Sequence, residues 1–244
     1  MAPGRPLKRS TINRSIEIAI QAFEKHQIQV PPFAFWSIEE WERRGSEADE
    51  IRDCMLGWDV TDFGSGDFET IGRTLFTLRN GRAGDNRYPK TYAEKLILDP
   101  EGQRAPAHFH RSKREDIVNR GGGNILVQLR KADENGQPTD ETFDVQVDGQ
   151  TVRHPGGGKI RLTPGMSLCI PPRTVHQFWG EEGTGCRIDG VGYTISGEVS
   201  SVCDDWNDNA FLTDYAVRFP EIDEDEPRRR YLCHEYPRAG ESGP

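Results

Sequence analysis

The chain has 244 residues, a length that one β-sandwich or barrel domain with decorations fills without splitting in two. With 31 basic against 40 acidic residues its formal net charge is −9, so it offers no long basic stripe to a polyphosphate backbone or an anionic membrane. Apolar residues reach only 34%, yet they fall in short runs between glycines and prolines, a pattern of packed strands rather than of disorder.

Residues 1–9 are polar and proline-bearing and are expected to fray. From Ser10 onward Ile12, Ile16, Ala19, Ile20 and Phe23 recur at three- and four-residue intervals, which predicts a helix with one buried stripe, stopped by Pro31 and Pro32. Ser37 and Glu40 have capping-box spacing and open a second, short helix carrying Trp41. The glycine-, aspartate- and aromatic-rich stretch from Met55 to Gly72 reads as an ordered loop packed over a barrel.

Strand signals begin at Thr74. Expected strands are Thr74 to Arg79, Tyr92 to Leu98, Ala105 to His110, Asp116 to Arg120, Asn124 to Leu129 and Phe143 to Val147. Thr151 to His154, Lys159 to Leu162, Ser167 to Ile170, Thr174 to Trp179, Ile188 to Thr194 and Glu198 to Val202 follow. Asp148-Gly149 is a two-residue hairpin turn, and Gly121-Gly122-Gly123, Pro155-Gly156-Gly157-Gly158 and Pro164-Gly165 mark further corners. Short strands at this spacing predict a mainly β, antiparallel, double-sheet or closed architecture. The tail from Asp204 is irregular and is expected to wrap the barrel as loops and a short helix. The organisation read from this is a single domain over 10–244, divided into a helical extension (10–73), a barrel (74–203) and a wrapping tail (204–244).

Cys54, Cys169, Cys186, Cys203 and Cys233 are odd in number, widely spaced and without a C-x-x-C pair, which speaks against a disulfide framework or a zinc–cysteine site and for reduced thiols in cytoplasm. The N-terminal segment has no apolar core of the kind a secretory signal needs, and no stretch approaches membrane-spanning length. The run Arg228, Arg229, Arg230 follows the acidic stretch from Glu221 to Glu226 and reads as a solvated charge patch rather than a nucleic-acid contact.

His108 and His110 lie two apart on an expected strand, so the pleat puts both imidazoles on one face. Glu115 follows across a short polar turn, and His176 lies after Pro171-Pro172 where a neighbouring strand can deliver a fourth group. Three imidazoles and a carboxylate leave open positions on a divalent ion, as metal catalysis requires. An H-x-H pair alone is equally an accident of strand alternation. Here it sits in a longer pattern: Gly102, five residues, His108-x-His110, four residues, Glu115, six residues, Gly122, and later Gly165, five residues, Pro171, four residues, His176.

Those two segments resemble the two signature motifs of the cupin superfamily, with Arg173 and Gly180 as departures outside the ligand positions. The resemblance implies a cupin-type double-stranded antiparallel β-barrel (jelly roll) with the N-terminal helices packed outside. PPFAFWSIEEW, DEIRDCMLGWDVTDFGSGDF, RYPKTYAEKL, HFHRSKREDIVNRGGGN, GEVSSVCDDWNDN and RFPEIDEDEPRRRYLCHEYP are similar to segments of the D-lyxose isomerase family along nearly the whole chain. This implies a cytoplasmic, homodimeric sugar isomerase converting D-lyxose to D-xylulose and D-mannose to D-fructose, with Mn²⁺ as cofactor and other divalent cations such as Co²⁺ as alternatives. It implies that His108, His110, Glu115 and His176 hold the metal, while Lys95, Lys113 and Glu198 line the pocket. Ala210 and His234 depart from the arginine and asparagine common in the family, which bears on sugar preference.

Aldose–ketose interconversion moves a proton, or a hydride, between C2 and C1, and a divalent ion chelated by the vicinal oxygens polarises the carbonyl and stabilises an enediolate. Glu198 is then the candidate base, Lys113 a candidate proton donor, and Lys95 a substrate-orienting group. On residues alone each is also a surface strand residue. Trp58, Phe178 and Trp179 can wall a pocket or fill a core, and Asp204 and Asp205 can bind hydroxyls or cap a turn. Two other functions fit the metal set: a metal-dependent cupin oxygenase, disfavoured by the polar Lys95, Lys113 and Glu198, and a non-catalytic sugar-binding module.

Overall fold

The computed structural model of the chain describes residues 5–239. In chain order it consists of β1 (Leu7–Lys8), α1 (Arg9–Lys25), α2 (Ile38–Glu42), α3 (Asp49–Asp53), β2 (Gly57–Thr61), β3 (Arg73–Arg79), β4 (Tyr92–Pro100), β5 (His108–His110) and β6 (Glu115–Gly121). Then come β7 (Ile125–Lys131), β8 (Phe143–Val147), β9 (Gln150–His154), β10 (Lys159–Leu162), β11 (Ser167–Ile170) and β12 (Thr174–Gly180). The chain continues as β13 (Cys186–Ile188), β14 (Val191–Ser201), β15 (Asn209–Phe211) and β16 (Ile222–Asp223). A 3₁₀ turn, Pro32–Phe35, lies between α1 and α2.

Two antiparallel sheets face each other, as the double-sheet expectation required. The smaller runs β10-β7-β12-β5-β15 and the larger β2-β3-β4-β14-β6-β11-β8-β9, with β13 paired on β14. Leu75, Ile97, Ile117 and Leu168 of the larger sheet and Ile125, Val127, Leu129 and Phe178 of the smaller form the apolar core between them. On the outer face of the larger sheet, Trp58, Val60, Phe76, Leu96, Leu98 and Ile195 meet Ile12, Ile16, Ala19 and Phe23 of α1. The four α1 residues follow the i, i+4, i+7, i+11 stripe of one helix face. Strands β3, β4 and β14 are therefore covered on both faces. On β4, Leu96 and Leu98 point to the helix, while Lys95, Ile97 and Asp99 point inward, since successive side chains alternate.

The first helix stops earlier than the prolines suggested. Gln27 takes φ 58°, the Ile28 amide donates to Phe23 O at 2.9 Å and the Gln27 amide to Glu24 O at 3.0 Å, a Schellman closure that ends the helix at Lys25. The second helix begins as expected, with the capping box of Ser37 and Glu40 formed.

Several boundaries need correction. Residues 1–4 of the expected frayed segment lie outside the described residues, but Leu7 and Lys8 pair in parallel with Ile222 and Asp223, and Arg9, fully buried, opens α1. Arg9 is held by Glu224 and Glu235, so the tail ties the N-terminus down. Part of the expected 55–72 loop is strand β2, whose residues are all buried and pair with β3 from Gly57↔Thr77 to Thr61↔Arg73. The expected strand from Ile188 to Thr194 is a hairpin whose turn is Asp189-Gly190, both at positive φ, and the segment from Glu198 continues the same strand through Gly197. The expected strand from Ala105 shortens to His108–His110. No helix forms in the described part of the tail, which instead contributes β15 and β16.

Phe76 is fully buried, its ring 5.3 Å from Phe33 and 4.9 Å from Trp58 between centroids. Phe76→Ala is expected to lower unfolding free energy by about 3–5 kcal/mol, as large-to-small core changes do. Urea denaturation checks this, and a loss below ~1 kcal/mol would detach the helical layer from the cooperative core.

Candidate metal centre

The cavity between the two sheets receives side chains from both. From the smaller sheet come His108 and His110 on β5 and His176 on β12, where His176 sits directly opposite His108 in the antiparallel register. The three ring centroids lie 4.3–5.4 Å apart, and the ligating nitrogens fall within 4.8 Å of one another, close enough to hold one metal ion. Local chain geometry aims two of these rings. The Nδ1 of His108 lies 2.8 Å from Pro106 O and that of His176 2.9 Å from Thr174 O, and a carbonyl can only accept, so both Nδ1 atoms carry a proton and Nε2 is the ring nitrogen left to face the cavity.

Glu115, the first residue of β6, reaches across from the larger sheet. Its Oε1 stands 3.0 Å from His176 Nε2 and its Oε2 3.3 Å from His110 Nε2. Oε1 is buried without a hydrogen-bond partner, as is His110 Nδ1. Imidazole nitrogens facing an unsatisfied carboxylate oxygen are what a divalent cation needs, and the donor set of nitrogens and oxygens suits a borderline or hard ion. Burial, then the neighbouring imidazoles, push His108 well below the ordinary histidine range, and burial with the Lys113 ammonium pushes His110 down too, which keeps both rings neutral for ligation.

Beside this cluster stands a row of buried charges. Lys113, in the turn between β5 and β6, places Nζ 2.7 Å from Glu115 Oε2 and 2.7 Å from Glu198 Oε1. Asp208 holds that turn by accepting from the Ser112 amide at 2.8 Å, the Ser112 hydroxyl at 2.7 Å and the Lys113 amide at 3.2 Å. Lys95 on β4 is the direct cross-strand partner of Glu198 on β14, with Nζ 3.5 Å from Oε1 and 4.0 Å from Asp205 Oδ1. Arg218 then bridges Asp205, at 3.5 Å, and Asp59. Burial alone would raise the Glu198 carboxyl, but Lys113 and Lys95 outweigh it and hold it down at about 2. Burial works against the charge on Lys113 and Lys95, and the surrounding carboxylates reverse it, keeping both as ammoniums well above the ordinary value.

The seven residues singled out from the sequence thus meet around one cavity of about 60 Å³, which Arg73, Phe178, Asp205, Phe211 and Arg218 also line. A second cavity of about 230 Å³ shares Lys95 and Asp205 with it and continues towards Asn80, Arg82 and Trp206. Of the three aromatics weighed as walls, only Phe178 lines the metal cavity. Trp58 packs under α1 with its indole donating to Ala34 O at 2.8 Å, and Trp179 lies beneath Arg104 and Lys159. Asp204 caps the turn before Trp206 and Asn207, whereas its neighbour Asp205 faces the cavity. Arg218 and Arg73 carried no signal in the sequence; both are arginines in unremarkable surroundings that the fold buries.

Comparison with known proteins gives a consistent picture. The family model for D-lyxose isomerase matches residues 7–236. The chain is 46% identical over 231 residues to the D-lyxose/D-mannose isomerase of Escherichia coli O157:H7, covering 94% of this chain and 98% of the relative. It is 44% identical over 231 residues to the D-lyxose/D-mannose isomerase of Serratia proteamaculans, with the same coverage, 94% and 98%. Among solved structures, the L-ribose isomerase of Geodermatophilus obscurus superposes with TM-score 0.60 at 15% identity, over 89% of this chain and 99% of that one. That of Cellulomonas parahominis without ligand gives 0.57 at 14% identity, again over 89% and 99%, and both bear out the cupin-type fold.

The folded value of Glu198 lies below its ordinary 4.5, so its contribution to stability is complete above that pH and is lost as pH falls through about 2. Urea midpoints followed from about pH 5 to about pH 3 are expected to fall more steeply in the wild type than in Glu198→Gln. Equal slopes would remove Glu198 from the buried ion-pair row.

Proposed function

The chain belongs to the D-lyxose isomerase family, and on that premise we propose that it interconverts D-lyxose with D-xylulose, and D-mannose with D-fructose, at a divalent metal held by His108, His110, Glu115 and His176. It is an aldose–ketose sugar isomerase; the particular sugars and the residue roles are our assignment. The observation that carries the assignment is the convergence of three imidazoles and Glu115 beside the Lys113–Glu198 ion pair in one buried cavity. Mn²⁺ is the proposed ion, because the four donors are nitrogen and oxygen with no thiolate among them. A homodimer in the cytoplasm completes the proposal. No helix among the described residues is long and apolar enough to cross a membrane.

A divalent cation bound there acts as a Lewis acid on the carbonyl that moves between C1 and C2. The chain's own residues supply proton transfer and orientation. Glu198 takes the proton from C2 of the aldose and returns it to C1, so that no net proton is consumed. Lys113, in contact with both Glu115 and Glu198, passes a proton between the two vicinal oxygens in step with this. Clamped by two ammoniums, Glu198 is a weak base at rest; sugar hydroxyls that draw Lys113 and Lys95 into hydrogen bonds release it. Lys95 and Asp205 present a donor and an acceptor side by side, the complement of a hydroxyl, and orient the far end of the sugar.

Glu198→Gln keeps the shape but not the base, and is expected to cut turnover by about 100- to 10,000-fold while metal content stays unchanged. Activity within tenfold of wild type would exclude Glu198 as the base. Lys95→Ala is expected to raise KM by about 10- to 100-fold, the loss of one charged hydrogen bond. An unchanged KM would remove Lys95 from sugar binding. Chelation should abolish conversion under argon and Mn²⁺ restore it, whereas dependence on oxygen would point instead to an oxygenase.

A further inference from the structure

Asp59 on β2 and the tail residues Cys233 and His234 bring a carboxylate oxygen, a thiol sulfur and a ring nitrogen within 4.8 Å of one another. The tail is fixed there by its backbone, since the Cys233 amide donates to Trp58 O at 2.7 Å, one residue before Asp59. Asp59 is 1% exposed, and its Oδ1 has no hydrogen-bond partner; Oδ2 contacts Arg218. A carboxylate oxygen so buried and without a donor is rare in a folded protein and points to a group that satisfies it. Cys233 is buried as well, and the ring of the partly exposed His234 rests 4.5 Å from that of Phe219.

We propose that Asp59, Cys233 and His234 form a second metal site, distinct from the histidine cluster, for a borderline-soft divalent cation of the zinc class. Thiolate and imidazole select such an ion over magnesium or manganese. In a tetrahedral site with bonds of about 2.0–2.3 Å the ligand atoms stand about 3.5 Å apart, so side-chain movements of about 1 Å close the present arrangement. The Cys233 thiol gives its proton to solvent as the metal–sulfur bond forms, which balances the step. Arg218 is not left unpaired when Asp59 turns to the cation, because Asp205 lies 3.5 Å away on its other side. A water would complete the coordination of such an ion. A cation here pins the tail to the edge strand β2, while Arg218 stays with Asp205 on the wall of the sugar cavity.

The test loads the full-length chain with Co²⁺ and removes the excess. Two equivalents per chain are expected, together with a near-ultraviolet thiolate-to-cobalt charge-transfer band. Because no sulfur belongs to the histidine cluster, the band reads the second site whether or not the first is filled. Cys233→Ser should lose the band and one equivalent of metal. Should that variant fail to fold, Asp59→Asn and His234→Ala carry the same expectation. A wild type without the band, or a band that survives at full strength in whichever of these variants folds, overturns the proposal.

Discussion

The structure depends on a row of charges held out of water in alternating sign: Glu115, Lys113, Glu198, Lys95, Asp205, Arg218 and Asp59. Each member faces opposite charge, and the five inner members face it on two sides. Taking one such ion from water costs several kcal/mol, and breaking a buried pair by deleting a partner costs about 3–5 kcal/mol, a sizeable part of a domain's 5–15 kcal/mol. Desolvation thus offsets most of what the pairs gain, so the row adds little net stability and the rest of the fold must hold it in place. That task falls to two apolar layers, the core between the sheets and the α1 layer outside the larger one, which cover β3, β4 and β14 from both sides. With both faces covered, these strands keep their register, and the register keeps Lys95 opposite Glu198.

Much of the metal cluster was legible in the sequence because its information is local. The pleat fixes His108 and His110 on one face, a four-residue turn returns Glu115, and a proline-led strand delivers His176. The charge row was only partly legible, since its contacts span most of the chain. Lys95 meets Glu198 through a pairing across about a hundred residues, which no periodicity encodes. Asp205 and Arg218 come from the irregular tail, and nothing in the WNDN or VRFP surroundings separates a cavity residue from a turn cap.

The misread elements have particular causes. Strand β2 alternates Trp58 and Val60 with Asp59 and Thr61, but the run is short, and the glycines after Asp62 gave the whole stretch the look of a loop. Asp189-Gly190 carries the same turn signal as Asp148-Gly149, but it is flanked by apolar residues that run on as if in one strand. Residues 195–197, left between two expected strands, lie inside β14, where Gly197 pairs with Leu96 on one side and Val118 on the other. The expected tail helix gave way to β15, where Asn209, Ala210 and Phe211 pair with His110, Phe109 and His108 and so complete the edge beside the metal cluster.

The two sheets divide the chemistry between them. The smaller contributes the three imidazoles, and the larger contributes the buried ions to which we assign proton transfer and the binding of hydroxyls. Only Glu115 crosses from the second set to the first, with one oxygen beside His176, the other beside His110, and Lys113 at hydrogen-bond distance. A cation bound at Glu115 would therefore be felt directly by Lys113, and through Lys113 by Glu198. With a cation held there, the Glu115 carboxylate would bind the Lys113 ammonium less strongly, and Lys113 would be freer to donate to a sugar oxygen. In the mechanism proposed above, metal binding and proton transfer would be coupled through this one side chain, at the seam between the sheets.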